Sequence, residues 1–308
     1  MQRKTDTQNM IRIGTRGSDL ALWQANHVAD LIGRDRARIV VIKTKGDRIQ
    51  NVSFDKMEGK GFFTKEIEDA LLEREIDLAV HSMKDLPTEH THGLTIAAVI
   101  RREDPSDVLL VRAERYLEGN DLPLADGAIV GTSSLRRAAQ LRNIMPSLEI
   151  RPLRGNVPTR IRRLREGMFD AIVLARAGIA RLGLDTYGLV DFTLPYSYFL
   201  PAPAQGALAV QVRADDGELC EIVGGLNDPE TDASVEAERR FLEHFGGGCH
   251  VPLGALAYRS GDVLHLSGIV ASVDGRRLIR KSVDGADPAL VGCRLAEILK
   301  EEGADDLL

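Results

Sequence analysis

The chain has 308 residues, 44% hydrophobic and 28% charged, which fits a soluble protein of two or three domains, each large enough to bury a core. A formal net charge of −6 disfavours general affinity for nucleic acid or membranes. The three cysteines, Cys220, Cys249 and Cys293, are far apart and form no CxxC pair, which argues against a disulfide framework or a metal site and for a reducing cytoplasm. Met1 to Met10 is polar and carries no apolar secretory stretch, and no run is long enough to span a bilayer.

In chain order, Met10 to Arg16 is predicted as a strand ending at Gly14-Thr15-Arg16-Gly17-Ser18. Ser18 then caps a helix whose apolar stripe is Leu22, Ala25, Val28, Ala29 and Ile32. A strand from Arg38 to Lys43 leads into a polar, glycine-bearing loop from Thr44 to Gly61, long enough to suggest a functional cover over a cleft. A helix from Thr64 to Arg74 and a buried strand from Asp77 to Val80 follow. That strand delivers His81-Ser82-Met83-Lys84-Asp85-Leu86-Pro87 at its carboxyl end, before another strand from Leu94 to Ile100. Asp85 is placed to steer protons or stabilise a cation, unless it only caps the turn before Pro87. His81 could act as a base or be a satisfied structural residue. Gly-x-Ser-x-Gly is absent, so a serine hydrolase is disfavoured.

After Asp104-Pro105 the pattern restarts. Ile129-Val130-Gly131-Thr132-Ser133-Ser134 echoes Ile13-Gly14-Thr15: a strand, a Gly-Thr turn, then a helix start rich in hydroxyls. Strand Leu148 to Pro152, helix Val157 to Glu166 and strand Ala171 to Ala175 complete a second α/β unit. Between Gly131 and Arg181 stand eleven arginines and no lysine, against Glu149, Glu166 and Asp170. Arginine's planar fork grips carboxylates in bidentate fashion, so a polyanionic small ligand is expected there, with Arg162, Arg163 and Arg165 left as a solvated helix face. Ligands of open α/β sheets lie outside the carboxyl ends of strands, and helix N-termini attract anions, so two such units are expected to face a common cleft.

Tyr196 to Pro203 is predicted as a connector, and Leu208 to Val212 as a strand returning to the first sheet. Beyond Asn227 a helix from Ala233 to His244 leads to Phe245-Gly246-Gly247-Gly248-Cys249-His250-Val251-Pro252. The glycines either present the thiol on a bare loop or simply cap the helix. Strands with turns at Ser260-Gly261-Asp262 and Asp274-Gly275, then a helix from Pro288 to Glu301, predict a small α+β domain. Cys220 and Cys293 are expected in helix cores.

Several stretches, in order, carry a resemblance: Ile13-Gly14-Thr15-Arg16, Lys45-Gly46-Asp47, Gly59-Lys60-Gly61-Phe62-Phe63-Thr64-Lys65-Glu66, Ala79 to Pro87, Gly131 to Arg137, Leu153-Arg154-Gly155-Asn156 and Gly247-Gly248-Cys249. Together they resemble the porphobilinogen deaminase (hydroxymethylbilane synthase) family across nearly the whole chain. The resemblance implies two periplasmic-binding-protein-like α/β domains with a double crossover plus a small C-terminal α+β domain. The expected boundaries are 1–104 with 205–224, 105–204, and 225–308. It implies a transferase that joins four porphobilinogens head to tail from a covalent dipyrromethane, one per chain, on Cys249. It further implies a cytoplasmic monomer without nucleic-acid or membrane partners.

By the same resemblance Asp85 is the catalytic carboxylate. Arg136, Arg137, Lys84, Ser134 and Asp85 contact the cofactor, and Arg16, Ser18, Arg154, Arg160, Arg181 and Lys60 contact substrate. The chain departs from the family pattern at Gly246 and His250, at Pro158 and at Pro201-Ala202-Pro203-Ala204. The alternatives are a non-enzymatic, two-lobed binding or sensor module for a polycarboxylate, or a transferase using Cys249 only as a transient nucleophile.

Overall fold

A computed structural model describes residues 10–44, 64–119, 121–248 and 251–308. The described chain divides into two compact units. One holds the residues up to Arg101 together with Leu208–Asp232, and the other holds Arg102–Ala207 with Ala233–Leu308.

The first unit is built on strands β1 (Ile11–Thr15), β2 (Ala37–Val41), β3 (Leu78–Ser82), β4 (Leu94–Ile100) and β10 (Leu208–Arg213), in the order β2-β1-β3-β10-β4. The first three are parallel, while β10 runs antiparallel to both β3 and β4, with Val80 opposite Val210. Alternate side chains leave opposite faces of a strand. Leu78 and Val80 therefore join Ala25, Val28, Leu219 and Val223 in one core, under helices α1 (Asp19–Ile32) and α6 (Gly217–Gly224). Ala79 joins Ile67, Ala70 and Leu71 of α2 (Lys65–Leu72) in the other.

The second unit repeats the plan. Strands β5 (Asp107–Arg112), β6 (Ile129–Gly131), β7 (Glu149–Arg151), β8 (Ala171–Ala175) and β9 (Leu189–Thr193) form a sheet in the order β7-β6-β8-β5-β9. Here β5 is the inserted strand, antiparallel to β8 and β9. In each sheet three parallel strands are followed by one antiparallel strand that the chain supplies on crossing over, then by an edge strand. That is the double crossover of the periplasmic-binding-protein type. The short Ile-Gly-Thr echo falls on topologically equal strands, β1 and β6, each central among its parallel neighbours. Both glycines are sterically required: a Cβ on Gly14 would lie 2.2 Å from the Ile76 side chain, and one on Gly131 would lie 2.8 Å from Phe169.

The same unit carries the antiparallel sheet β11 (Leu253–Ser260), β12 (Val263–Ala271) and β13 (Leu278–Gly285), with helices α7 (Pro229–Glu243) and α8 (Pro288–Glu301). Its core is separate, formed by Phe241, Leu264, Leu266, Leu295 and Leu299 among others. The tip of the β12–β13 hairpin rests on helix α3 (Leu135–Ile144), where Asn143 Nδ2 donates to the Gly275 carbonyl at 3.0 Å. Gly275 has φ +75, and a Cβ there would meet the Ala139 carbonyl oxygen at 2.5 Å.

Candidate active site

In the first unit, β1 and β3 are parallel neighbours, so Arg16 and Ser18 follow the same sheet edge that Lys84 and Asp85 follow. Ser18 caps α1, its hydroxyl accepting from the Ala21 amide at 3.3 Å, which leaves the helix N-terminus at this edge. Gln24 of the same helix donates to Ser82 Oγ at 2.8 Å and ties the helix to the end of β3. Beyond Ser82 the chain makes a single 3-10 turn, Met83–Asp85. Met83 is buried, Lys84 is half-buried and Asp85 is exposed. The anchored strand end thus holds the carboxylate out toward solvent. His81 is buried instead, and its Nε2 is 3.2 Å from Gln211 Oε1, whose amide donates to Glu68 at 2.8 Å. Burial pushes the His81 pKa down to about 4. It is neutral, enclosed and structural, the second of the two readings of its position.

In the second unit the carboxyl ends of β6, β7 and β8 share one edge. Ser134 caps α3, accepting from the Arg137 amide at 3.4 Å, and Asn156 caps α4 (Val157–Arg165), accepting from the Thr159 amide at 3.0 Å. Two helix N-termini therefore open at this edge, a setting that favours anions. Pro158 sits in the first turn of α4, where its missing amide donor has no helical partner to lose.

Arg154 and Arg160 are half-buried beside this edge, with Arg160 Nε on the Gly155 carbonyl at 2.8 Å. Arg181, on helix α5 (Arg176–Leu182), is buried and donates to the Gly206 carbonyl at 2.6 Å, and burial pushes its pKa down to about 10. Arg136 and Arg137 are also buried, at 5% and 7% exposure, and converge on Asp107. Sequence reading missed Asp107, since nothing local marks an aspartate whose partners lie about thirty residues on.

The basic window divides by use. Arg176 makes a bidentate pair with Asp191 at 2.7 Å, Arg151 pairs with Glu149, and Arg142 donates to the Val273 carbonyl. These serve the scaffold. Arg136, Arg137, Arg154 and Arg160 stand after strand ends or in the first turns of helices, where planar forks and helix N-termini suit a ligand bearing several carboxylates.

Cys249 and Lys60 lie outside the described residues, as does the loop from 45 to 61. The described flanks of Cys249 are informative. Gly246 and Gly247 both have positive φ, and their amides donate to Glu243 and Leu242 carbonyls, so these glycines do stop α7. Phe245 before them and Val251 after them are buried in the same core. The other two cysteines are half-buried rather than enclosed: Cys220 packs against the first unit's core, and Cys293 lines an open groove with Arg240 and His244. Among the described residues no group of His, Cys, Asp and Glu could hold a metal, and no helix is long and apolar enough to cross a membrane.

Comparison with known proteins gives concordant matches. The family model described as "Porphobilinogen deaminase, dipyromethane cofactor binding domain" matches residues 11–221, and "Porphobilinogen deaminase, C-terminal domain" matches 233–301. A porphobilinogen deaminase from Syntrophobacter fumaroxidans is 47% identical, covering 98% of both chains. Those from Syntrophomonas wolfei and Pelotomaculum thermopropionicum are 46% and 48% identical; each match covers 97% of this chain, and 97% and 96% of theirs. A solved periplasmic binding protein from Brucella ovis, with glutathione bound, is 13% identical, with a TM-score of 0.42 over 77% of this chain and 70% of its own. With both family domains matched in order and relatives near half identity along almost its whole length, the chain belongs to the porphobilinogen deaminase family.

Proposed function

We propose that this chain is a transferase of tetrapyrrole, and hence porphyrin and heme, biosynthesis. It joins four porphobilinogen molecules head to tail, with loss of ammonia, into linear hydroxymethylbilane. The observation that carries the reading is Asp85: a carboxylate held out to solvent at the end of a buried, anchored strand, in a chain of this family. The dipyrromethane, one per chain and attached by a thioether to Cys249, supplies when bound the pyrrole end to which each new unit is joined.

The residues present suit such a group, whose pyrroles carry acetate and propionate. By the family resemblance, Arg136, Arg137, Ser134, Lys84 and Asp85 would hold it. Arg16, Ser18, Arg154, Arg160, Arg181 and Lys60 would receive the carboxylates of incoming substrate. Asp85 accepts hydrogen bonds from pyrrole N–H groups and stabilises the positive charge that develops as ammonia leaves. The forks fix orientation, which a point charge such as lysine does less well.

We also place a domain boundary within the second unit, giving domains 1–104 with 205–224, 105–204, and 225–308. The separate core of β11–β13 with α7 and α8 supports this division. The odd, scattered cysteines support a cytoplasmic setting, and we take the protein to be a monomer. The family match does not favour a non-enzymatic binding module.

The test is Asp85→Asn. Cofactor loading and melting should stay near the unsubstituted protein's, while turnover falls by about two orders of magnitude or more, the scale of losing a positioned acid–base or electrostatic group. Near-normal turnover would return Asp85 to a loop-capping role.

A further inference from the structure

Helix α3 carries two arginines in succession in its first turn, Arg136 and Arg137, and consecutive helical residues point about 100° apart. Their guanidiniums nevertheless meet on one carboxylate. Arg136 Nη1 donates to Asp107 Oδ2 at 2.6 Å, while Arg137 Nη2 and Nε donate to Asp107 Oδ1 at 2.6 and 3.1 Å. The Asp107 side chain is fully enclosed. It lies at this edge because β5 is antiparallel: its first residue pairs with Ala175, the last of β8. Gln205 Nε2 holds the same Oδ1 at 3.0 Å and the Pro105 carbonyl at 2.8 Å. Arg136 also donates to the Leu200 carbonyl at 2.7 Å and Arg137 to the Val173 carbonyl at 3.1 Å.

We infer that Asp107 is a positioning residue, which draws Arg136 and Arg137 together and fixes both forks before a ligand carboxylate arrives. The inference rests on the reading that these two arginines hold cofactor carboxylates, and deepens it. Arginine is rich in rotamers, and ordering two such side chains in advance removes that loss from the binding step. Two adjacent guanidiniums would otherwise repel, and the shared carboxylate offsets this. It stays ionised, since both arginines hold its pKa far below the usual carboxylate range despite burial. The crossover strand thereby couples the fold's topology to the site: antiparallel β5 is what brings Asp107 to this edge.

The experiment compares intact mass, and hence the fraction carrying cofactor, for Asp107→Asn, Arg136→Lys and Arg137→Lys, alongside melting. Asp107→Asn that folds should carry cofactor in a fraction at least about tenfold lower, within the loss expected for misplacing a binding group by an ångström. Full loading in folded Asp107→Asn, with reduced loading in the lysine variants, overturns this inference alone. Normal loading in both lysine variants removes the underlying reading and this inference with it. Should Asp107→Asn not fold, nitrogen-15 arginine-labelled, fully loaded unsubstituted protein decides. The Arg137 Nε–H resonance, assigned by its loss in Arg137→Lys, should be protected from exchange because Asp107 keeps hold of it. Rapid exchange of that proton in the loaded protein would mean that Asp107 does not hold it, and would overturn the assignment.

Discussion

His81 shows how burial decides a residue's part. Enclosed at the end of β3 and bonded to Gln211, it has its pKa pushed from 6.5 to about 4. The unfolded chain takes up a proton at this histidine below pH 6.5, whereas the native state resists until about 4. Native stability therefore falls as pH drops through that window, by roughly 3 kcal/mol from this group. Denaturant unfolding at pH 7 and pH 5 should show a larger loss for the unsubstituted protein than for His81→Asn; equal losses would contradict the assignment.

The arginines allow a second prediction at this scale. Arg176 spends its fork on Asp191, so Arg176→Lys should leave the KM for porphobilinogen within about twofold, whereas Arg154→Lys should raise it about tenfold through loss of a bidentate grip. Equal effects would dissolve the division of the basic window. Sequence made that window visible as a whole. It did not show which arginines are engaged within the fold, because the carboxylates that pair with Arg136, Arg137 and Arg176 come from other strands.

Among the elements, α7 binds the segments where the chain crosses over. Glu238, fully buried on that helix, accepts from Arg102 at 2.6 and 3.0 Å and from the Ala204 and Ala257 amides at 2.5 and 2.7 Å. Ala204 is held at φ +61, uncommon for a residue with a side chain, and the hydrogen bond its amide donates to Glu238 offsets that conformation. Glu238→Ala strips the half-buried Arg102 of its fully buried carboxylate, so unfolding free energy should drop by about 3 kcal/mol, and Glu238→Gln by less. A loss under about 1 kcal/mol in denaturant titration would show the cluster to be incidental.

Elements with a plain amphipathic pattern and capping chemistry were legible from sequence. Helix α8 runs from Pro288 to Glu301 as its pattern indicates, and the cap at Ser18 forms. Strands β5 and β9 were not read. Residues 107–111 of β5 are buried throughout, and such a strand shows no alternation; β9 follows a turn-rich stretch that masks it. Helices α5 and α6 are one to two turns long, too short for a periodic signal.

For the whole molecule, one topology is used twice, and each use ends in a sheet edge with helix N-termini and charged side chains. The acidic overall balance hides a basic window that only position, not net charge, explains. The α/β alternation and the repeated Gly-Thr turns indicated two α/β units, while the double crossover came from the family resemblance. Of the inserted strands, β10 was legible as a strand returning to the first sheet, whereas β5 was not, because it pairs with β8 about sixty residues further on. The cover expected from 44 to 61 lies almost wholly outside the described residues.

Whether the chain builds its product on a permanent covalent primer at Cys249 is decided by the intact mass of freshly purified protein. Expected is the sequence mass plus one dipyrromethane, retained in Cys220→Ala and Cys293→Ala and lost in a folded Cys249→Ala. Plain sequence mass in the unsubstituted protein, or an adduct that survives in Cys249→Ala, would rule out such a primer.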